Sequence, residues 1–374
     1  MDCVEQVWKR VRVGETESAI RPAVPVLNSV ETGLDTQGSC NSLSGLASPW
    51  AHEDSARRKM AVAGFDVNEA DANGMTPLEV ACFYGSIAVL QLLLEAPGID
   101  VNLAGEDGQT PLLAVCSEGN PTVAEVLLNS RGIDTNKADK DGTTPLLGAC
   151  SMGHLEVVKL LLDKPETDVN RADDEGGTPL LEACLGGHFD IVRLLLGAPG
   201  IDVDGADMDG VSPLISSCTW GDVDLVRALL EVPGIEVNKV DKEGQSPLSL
   251  ACEHGHIAVV RLLCNFPGID MQGVDSSGRT PLTAACRDNR MEVVNVLVEA
   301  AGIDVNYVGE GEADGWTPLH WASIKGRDTI VKVLLGAKGV DIGLKDKDGR
   351  APLDWAKLLG HSRVAALLME HGRS

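Results

Sequence analysis

Cysteine is the residue type whose spacing in this sequence most readily suggests chemistry. Seven of the ten cysteines follow one another at intervals of 34 residues: Cys82, Cys116, Cys150, Cys184, Cys218, Cys252 and Cys286. A row of thiols could form disulfides or hold zinc. The constant interval, however, indicates repeated helical units stacked side by side, as described below, and equivalent positions in such a stack do not converge on one point. Stacked helices lie about 8–10 Å apart, whereas a disulfide needs Cα atoms within about 7 Å and zinc needs several sulfurs at about 2.3 Å. The row is therefore predicted to be core, where cysteine is a small apolar side chain.

Histidine and carboxylate patterns do not predict a metal site either. Four histidines follow a glycine at equivalent positions: His154, His188, His256 and His361. The same spacing argument excludes one shared metal ion, so structural hydrogen bonds are predicted for them. His254 and His256 form a local pair without an evident third ligand. The run Asp173-Asp174-Glu175-Gly176 lacks the order of a calcium-binding loop and indicates a turn.

No pattern in the sequence supports catalysis. Gly309-x-Gly311 lacks the third glycine of a dinucleotide loop, and neither a Gly-Lys-Thr phosphate loop nor a Gly-x-Ser-x-Gly elbow occurs. We therefore expect no enzyme activity, no catalytic residue, no metal and no cofactor.

An internal repeat organises the chain. Thr-Pro-Leu or a close variant begins at these positions: Thr76, Thr110, Thr144, Thr178, Ser212, Ser246, Thr280, Thr317 and Ala351. The interval is 34 residues throughout, except for 37 residues between Thr280 and Thr317. Such a constant interval predicts that one structural unit is repeated along the chain.

Each copy predicts the same succession of turns and helices. A glycine two residues before the Thr, often after Asp, favours a tight turn. Thr or Ser then caps a short first helix whose first position is Pro. A second glycine ends that helix, a second apolar helix follows, as in Leu155–Leu162, and an extended return such as Pro97–Asn102 leads to the next turn.

This unit resembles the ankyrin repeat, whose Thr-Pro-Leu-His-x-Ala signature is complete at Thr317–Ala322. The resemblance implies an all-α repeat solenoid of helix-turn-helix repeats with short β-hairpin-like fingers. The signature His is replaced in the other copies, by Glu79, Leu113, Leu147, Leu181, Ile215, Ser249, Thr283 and Asp354. The fold does not depend on that His, but its hydrogen bond cannot be carried over to these copies.

The repeat divides the chain into three regions. Residues 1–52 are rich in small polar residues around 28–42 and are predicted to be a non-repeat, disordered segment. Residues 53–68 are predicted to be a capping helix with its return, and residues 69–374 an array of nine repeats whose last member caps the stack.

Charge restricts the class of partner. The formal net charge is −25, and residues 61–314 hold 14 basic and 42 acidic residues. Such a surface repels phosphate, so we expect neither nucleic-acid binding nor membrane insertion. No apolar run is long enough to span a membrane, and ten cysteines without an apolar N-terminal region indicate a reducing cytoplasm or nucleus.

Two columns of positions differ between the copies and are the candidate binding surface. The post-turn column, directly after the turn glycine, is Met75, Gln109, Thr143, Gly177, Val211, Gln245, Arg279, Trp316 and Arg350. The helix-end column, directly before the second glycine or Asn289, is Tyr84, Glu118, Met152, Gly186, Trp220, His254, Asp288, Lys325 and Leu359. The candidate partner-binding residues are Tyr84, Gln109, Met152, Trp220, His254, Arg279, Tyr307, Trp316, Lys325 and Arg350. Exposed Tyr and Trp are enriched at binding hot spots, whereas Trp321 and Trp355 are expected to be core.

The predicted function is non-enzymatic protein binding. Fingers and first helices of ankyrin-like stacks form a concave face, so we expect a monomeric scaffold or adaptor for a protein partner, with acidic fingers favouring a basic one. One alternative is a recognition or assembly subunit of a larger complex, of ligase or proteasome-assembly type. Another is a hydroxylation substrate at Asn102, Asn170 and Asn306, which resemble the hairpin Asn modified in some family members.

Overall fold

The computed structural model describes residues 49–72, 74–308 and 315–373. Within these ranges the chain is helical and forms no strand. The prediction for residues 1–48 lies outside the described residues, and so do residues 309–314, which belong to the long turn expected from the 37-residue interval between Thr280 and Thr317. From Pro49 onward the chain forms one compact unit.

Helices in this unit come in pairs after a single helix, α1 (Glu53–Met60). The first helices are α2 (Pro77–Phe83), α4 (Pro111–Glu118), α6 (Pro145–Ser151), α8 (Pro179–Leu185), α10 (Pro213–Trp220), α12 (Pro247–His254), α14 (Pro281–Arg287), α16 (Pro318–Ile324) and α18 (Pro352–Leu358). The second helices are α3 (Ile87–Leu94), α5 (Pro121–Leu128), α7 (Leu155–Leu162), α9 (Phe189–Leu196), α11 (Val223–Leu230), α13 (Ile257–Cys264), α15 (Met291–Glu299), α17 (Asp328–Gly336) and α19 (Ser362–His371). Each helix packs on its counterpart in the next repeat, and the all-α solenoid prediction is confirmed.

The predicted caps start the first helices. Thr110 Oγ1 accepts a hydrogen bond from Leu113 N at 3.1 Å, with Pro111 at the first helical position. The cap satisfies a backbone donor that has no partner inside the helix. The last repeat has no hydroxyl at the cap, because Ala351 stands there; the Asp354 carboxylate instead accepts from Ala351 N at 2.9 Å.

The glycine after a first helix is needed for two reasons. Gly119 has a φ of +76°, and a side chain there would run into the imidazole of His154. That imidazole Nε2 lies 2.9 Å from Ser117 O in the preceding repeat. Equivalent bonds join His188 to Ser151 O, His256 to Thr219 O and His361 to Ile324 O. The structural role predicted for these four histidines is confirmed.

Hydrogen-bonded turns, rather than strands, make up the described fingers. In one of them Asp139 N donates to Thr143 O at 3.1 Å, while Asp139 Oδ1 accepts from the backbone of Asp141 and Thr143. Neighbouring fingers are joined by a bond from Lys140 N to Asp107 O at 3.1 Å. The finger glycine allows this approach, because a Cβ on Gly142 would lie only 2.6 Å from the next finger's backbone nitrogen.

Asparagine joins the returns of adjacent repeats. The Asn102 side chain donates to Gly132 O at 2.8 Å and accepts from Asp134 N at 2.9 Å. The same pair of bonds is made by Asn68, Asn136, Asn170, Asn238 and Asn306. In the other described returns the position is occupied by Asp204 and Gln272, which do not complete the pair, and by Gly343 in the last return, which has no side chain to form it.

The core runs through the whole unit and contains the cysteine row. All seven thiols are buried and free among Leu and Val side chains of the helices. Burial raises the pKa of these thiols, to about 12 at Cys184, so they remain protonated at neutral pH. The prediction that the row is core is confirmed.

The N-terminal end of the unit begins earlier than the sequence suggested. A 3-10 turn at Pro49–Ala51 precedes α1, and Trp50 is buried with its ring 5.6 Å from that of Phe65. Ser86 Oγ donates to Ala51 O at 2.9 Å, tying this turn to the first repeat. Residues 49–51, assigned from sequence to the non-repeat segment, therefore pack with the array.

Candidate protein-binding surface

The helix-end column forms an exposed row along the first helices. Tyr84, Met152 and Trp220 leave 52%, 61% and 36% of their surface accessible. Lys325 is exposed at the end of α16, while His254 is half-buried, with its ring 6.0 Å from that of His256. Large apolar side chains on this row lie where a partner could bury them.

The post-turn column is less accessible than the sequence suggested. Gln109, Arg279, Trp316 and Arg350 are half-buried, as is Tyr307 just before the long turn. Other members are buried: Gly177, Val211 and Gln245. Variation between copies in this column therefore reflects differences in local packing as well as neutral variation of exposed residues.

A second apolar cluster explains one buried member. Val211 packs with Leu181, Ile215 and Leu250, beside Leu185, on the finger side of the first helices. Leu181 and Ile215 stand where the signature His would be. In these repeats, apolar side chains therefore pack where the signature imidazole would lie. The signature imidazole itself is present at His320, whose Nε2 lies 3.1 Å from Arg350 O in the next finger.

Three tryptophans form a cluster on the last two described repeats. The Trp316 ring meets those of Trp321 and Trp355 edge-on, with centroids 4.9 and 5.7 Å apart. The buried Asp346 Oδ2 accepts from Trp316 Nε1 at 3.1 Å and from Trp355 Nε1 at 2.6 Å. The Arg350 guanidinium lies 4.8 Å from the Trp355 ring centroid. Trp321 and Trp355, expected to be core, are half-buried, and Trp316 is held by internal bonds rather than standing free.

Two arginines between Trp220 and this cluster are already paired with carboxylates. Arg287 binds Glu253 at 3.1 Å and Asp288 at 2.7 Å. Arg279 binds Asp275 at 2.6 Å, with only 17% and 2% of their side chains exposed. The Arg287 network was not predicted from the sequence, because it joins two first helices at positions whose residue types change from repeat to repeat.

Acidic side chains occupy the finger tips and the returns. At the tips Glu106, Asp107, Asp174, Glu175 and Asp209 are exposed. The returns add one exposed carboxylate per repeat: Asp66, Asp100, Asp134, Asp168, Asp202, Glu236, Asp270, Asp304 and Asp341. The row of return carboxylates was not identified from the sequence, although these residues recur there at the interval of the repeat.

The candidate hydroxylation sites are structurally engaged. The amides of Asn102, Asn170 and Asn306 each bind the following return, and all three residues are half-buried. Modification at these positions stays a prediction.

Sequence profiles of known families match most of the chain. A profile described as ankyrin repeats (3 copies) matches residues 98–173, 165–241, 233–308 and 307–374, and a single ankyrin repeat profile matches residues 73–103. The chain therefore belongs to the ankyrin repeat family, while the count of nine repeats stays a prediction.

Solved structures agree with this assignment. Among 533 matching chains is the crystal structure of the ankyrin repeat domain of Bcl-3, described as a unique member of the IkappaB protein family. It is 29% identical in sequence, with a TM-score of 0.55 over 62% of this chain and 100% of that one. A comparison with curated proteins found no match. These findings support protein–protein interaction and indicate no catalytic family.

Two further classes of site were considered for the part of the chain that the structure describes: a membrane span and a metal site. No helix there is both long and apolar enough to cross a membrane. Nor do three His, Cys, Asp or Glu side chains form a group there that could hold a metal ion.

Proposed function

We propose that the chain is a non-catalytic scaffold or adaptor that binds a protein partner on the face formed by the helix-end column and the fingers. The exposed apolar row of Tyr84, Met152 and Trp220 supports this proposal. These residues project from a rigid stack of helices, so little side-chain and backbone freedom is lost on binding.

The exposed carboxylates support a charge preference for the partner. Finger tips and returns present exposed carboxylates in successive repeats, which favour encounter with a basic surface. We propose a basic partner, and binding that weakens as ionic strength rises. An affinity that does not change with salt would contradict this part of the proposal.

The compartment and oligomeric state are part of the same proposal. The described cysteines are free thiols, which fits a reducing cytoplasm or nucleus. We propose that the chain acts as a monomer.

Affinity purification with matched variants tests the surface. The double variant Met152→Ala/Trp220→Ala removes two of the apolar side chains, and recovery of bound proteins should fall by about fivefold or more. Met369→Ala is the control, because Met369 is exposed on α19, away from the helix-end column.

Equal recovery by the double variant and the control would contradict the proposed surface. The identity of the recovered proteins addresses the alternative of a recognition or assembly subunit, since subunits of a ligase or proteasome would then be found.

A further inference from the structure

The helix-end column changes character from one repeat to the next. Over the first five repeats it reads Tyr84, Glu118, Met152, Gly186 and Trp220, so a large apolar residue appears in every second repeat. At Gly186 the space that a side chain would occupy is filled by the His188 ring, which bonds to Ser151 O. The interval between Met152 and Trp220 therefore carries no side chain, whereas the interval between Tyr84 and Met152 carries a carboxylate.

Glu118 is placed to receive a cation. It is exposed at the end of α4, and no hydrogen bond or ion pair within the described residues reaches its carboxylate. Its neighbours along the column are the apolar Tyr84 and Met152, and the Tyr84 ring meets that of Phe83 edge-on, with centroids 5.3 Å apart. A lone carboxylate between two apolar anchors matches a basic residue between two apolar residues of a ligand.

Spacing in the stack sets the spacing in the ligand. Helices α2, α4 and α6 pack side by side, so Tyr84 and Met152 lie two helix separations apart, or about 16–20 Å. An extended chain advances about 3.3 Å per residue, so it covers this distance in about five to six residues. An α-helix advances about 1.5 Å per residue and needs about 11–13.

Polar groups on the same face favour the extended form. Ser151 Oγ already donates to Glu182 Oε2 at 3.3 Å, whereas Gln109, Ser117 and Thr143 are half-buried along repeats two and three. An extended ligand has unpaired backbone N–H and C=O groups that such side chains can satisfy, whereas a helix satisfies its own.

We propose that repeats one to three bind an extended, basic polypeptide segment. Two of its apolar side chains, about five to six residues apart, contact Tyr84 and Met152, and a Lys or Arg midway between them pairs with Glu118. This inference rests on the proposed function, since it specifies the partner of the same face.

A peptide series tests the spacing with the full chain. Labelled Gly/Ser peptides carry two Leu residues separated by about three to about thirteen positions, with a central Lys, and fluorescence anisotropy gives their affinities. The affinity should be highest at about five to six residues. A maximum at about 11–13 residues, no dependence on spacing, or no binding at about 1 mM peptide would overturn the proposal.

A double-mutant cycle tests the charge. Replacing the central Lys with Gln, or Glu118→Gln in the protein, should each weaken binding about three- to tenfold, and the two effects should not add. Glu125→Gln, an exposed carboxylate on α5, should leave the affinity unchanged. Additive effects of the two changes would overturn the pairing.

The experiments distinguish failure of the extended-segment proposal from failure of the proposed protein-binding function. If Met152→Ala/Trp220→Ala loses its bound proteins but the peptides show no optimum, the face binds proteins and the extended-segment proposal is wrong. If the purified partners do not depend on this face, the proposed function itself is wrong.

Discussion

Asp204 stands where neighbouring returns carry Asn, and this exchange of an amide for a carboxylate changes one junction. Both Asp204 oxygens lie 3.2 Å from Glu236 N, but a carboxylate has no hydrogen to donate to Gly234 O. Burial raises the pKa of Asp204 above its ordinary value, and this effect outweighs the hydrogen bond from Glu236 N, which lowers it. The junction therefore lacks one bond and holds a carboxylate that is disfavoured in its charged form.

Asp204→Asn is expected to stabilise the protein. The new amide can donate to Gly234 O, as Asn170 does to Gly200 O at 2.7 Å, so the free energy of unfolding should rise by about 1 kcal/mol at pH 7. Because the pKa of Asp204 is raised in the folded state, the native protein takes up a proton there more readily than the unfolded chain. Stability from this group is thus lost as the pH rises through the folded-state pKa, and the gain from Asn should shrink toward about pH 4.

Urea unfolding at both pH values measures this effect. Asn170→Asp is the reverse control and should destabilise at pH 7 by a similar amount. A gain that is the same at both pH values would show that the ionised carboxylate is not the cause.

At the residue scale, the sequence predicted the surroundings of a side chain correctly wherever the repeat period alone determines them. The buried thiols and the four bonded histidines followed from equivalent positions in a stack. It did less well in the post-turn column, because the burial of Val211 and Gln245 depends on which side chains the neighbouring repeats happen to present. The side chains that bury Val211 and Gln245 therefore cannot be identified from the sequence around either residue.

Among the elements, the last finger and α18 are joined by one carboxylate. Asp346 Oδ1 accepts from the backbone of Asp348 and Arg350, and Oδ2 accepts from two indoles. Burial alone raises the pKa of a carboxyl, but these hydrogen bonds outweigh it and hold the pKa of Asp346 below its ordinary value. The repeat predicts a tight turn two residues before Ala351, but the sequence could not show that the second carboxylate oxygen of Asp346 holds two tryptophans.

Asp346→Ala should loosen the C-terminal repeats. Four N–H donors lose their acceptor, so the free energy of unfolding should fall by about 3 kcal/mol. Trp fluorescence should change as well, because the cluster contains three of the six tryptophans. In the wild type this stabilisation is present above the ordinary Asp pKa of about 3.9 and is lost as the pH falls through the lowered value.

Asp348→Ala is the matched control for this element. Asp348 is exposed and makes one ion pair with Arg350 at 2.7 Å, so its loss should cost less than about 1 kcal/mol. Equal effects of the two substitutions would mean that Asp346 does not hold the cluster together.

For the molecule as a whole, charge opposes the stacking that the core favours. Residues 61–314 carry 14 basic and 42 acidic residues, whereas residues 315–374 carry 10 basic and 6 acidic ones. Carboxylates at equivalent positions of adjacent repeats repel one another, and salt screens that repulsion.

Added NaCl is therefore expected to stabilise the protein. The screening length falls from about 30 Å at 0.01 M to about 10 Å at 0.1 M salt, so the urea midpoint at pH 7 should rise over this range. The rise should be smaller at about pH 4, where many carboxylates are protonated. A midpoint that is independent of salt at pH 7 would show that repulsion along the array is unimportant.

At this scale most of the fold was accessible from the sequence. Thr-Pro-Leu caps, positive-φ glycines and apolar helices recur in one register, so each copy supported the assignment of the others. The N-terminal turn with Trp50 was missed because it has no counterpart in the repeat.

The hydrogen bonds between repeats join residues that are close in the sequence. Among the described side-chain bonds, none spans more than the 37 residues that separate His154 from Ser117. Contacts of such short range carry a small loop-closure cost and favour rapid folding. During synthesis, each junction can form as soon as one further repeat has left the ribosome, without waiting for the C-terminus.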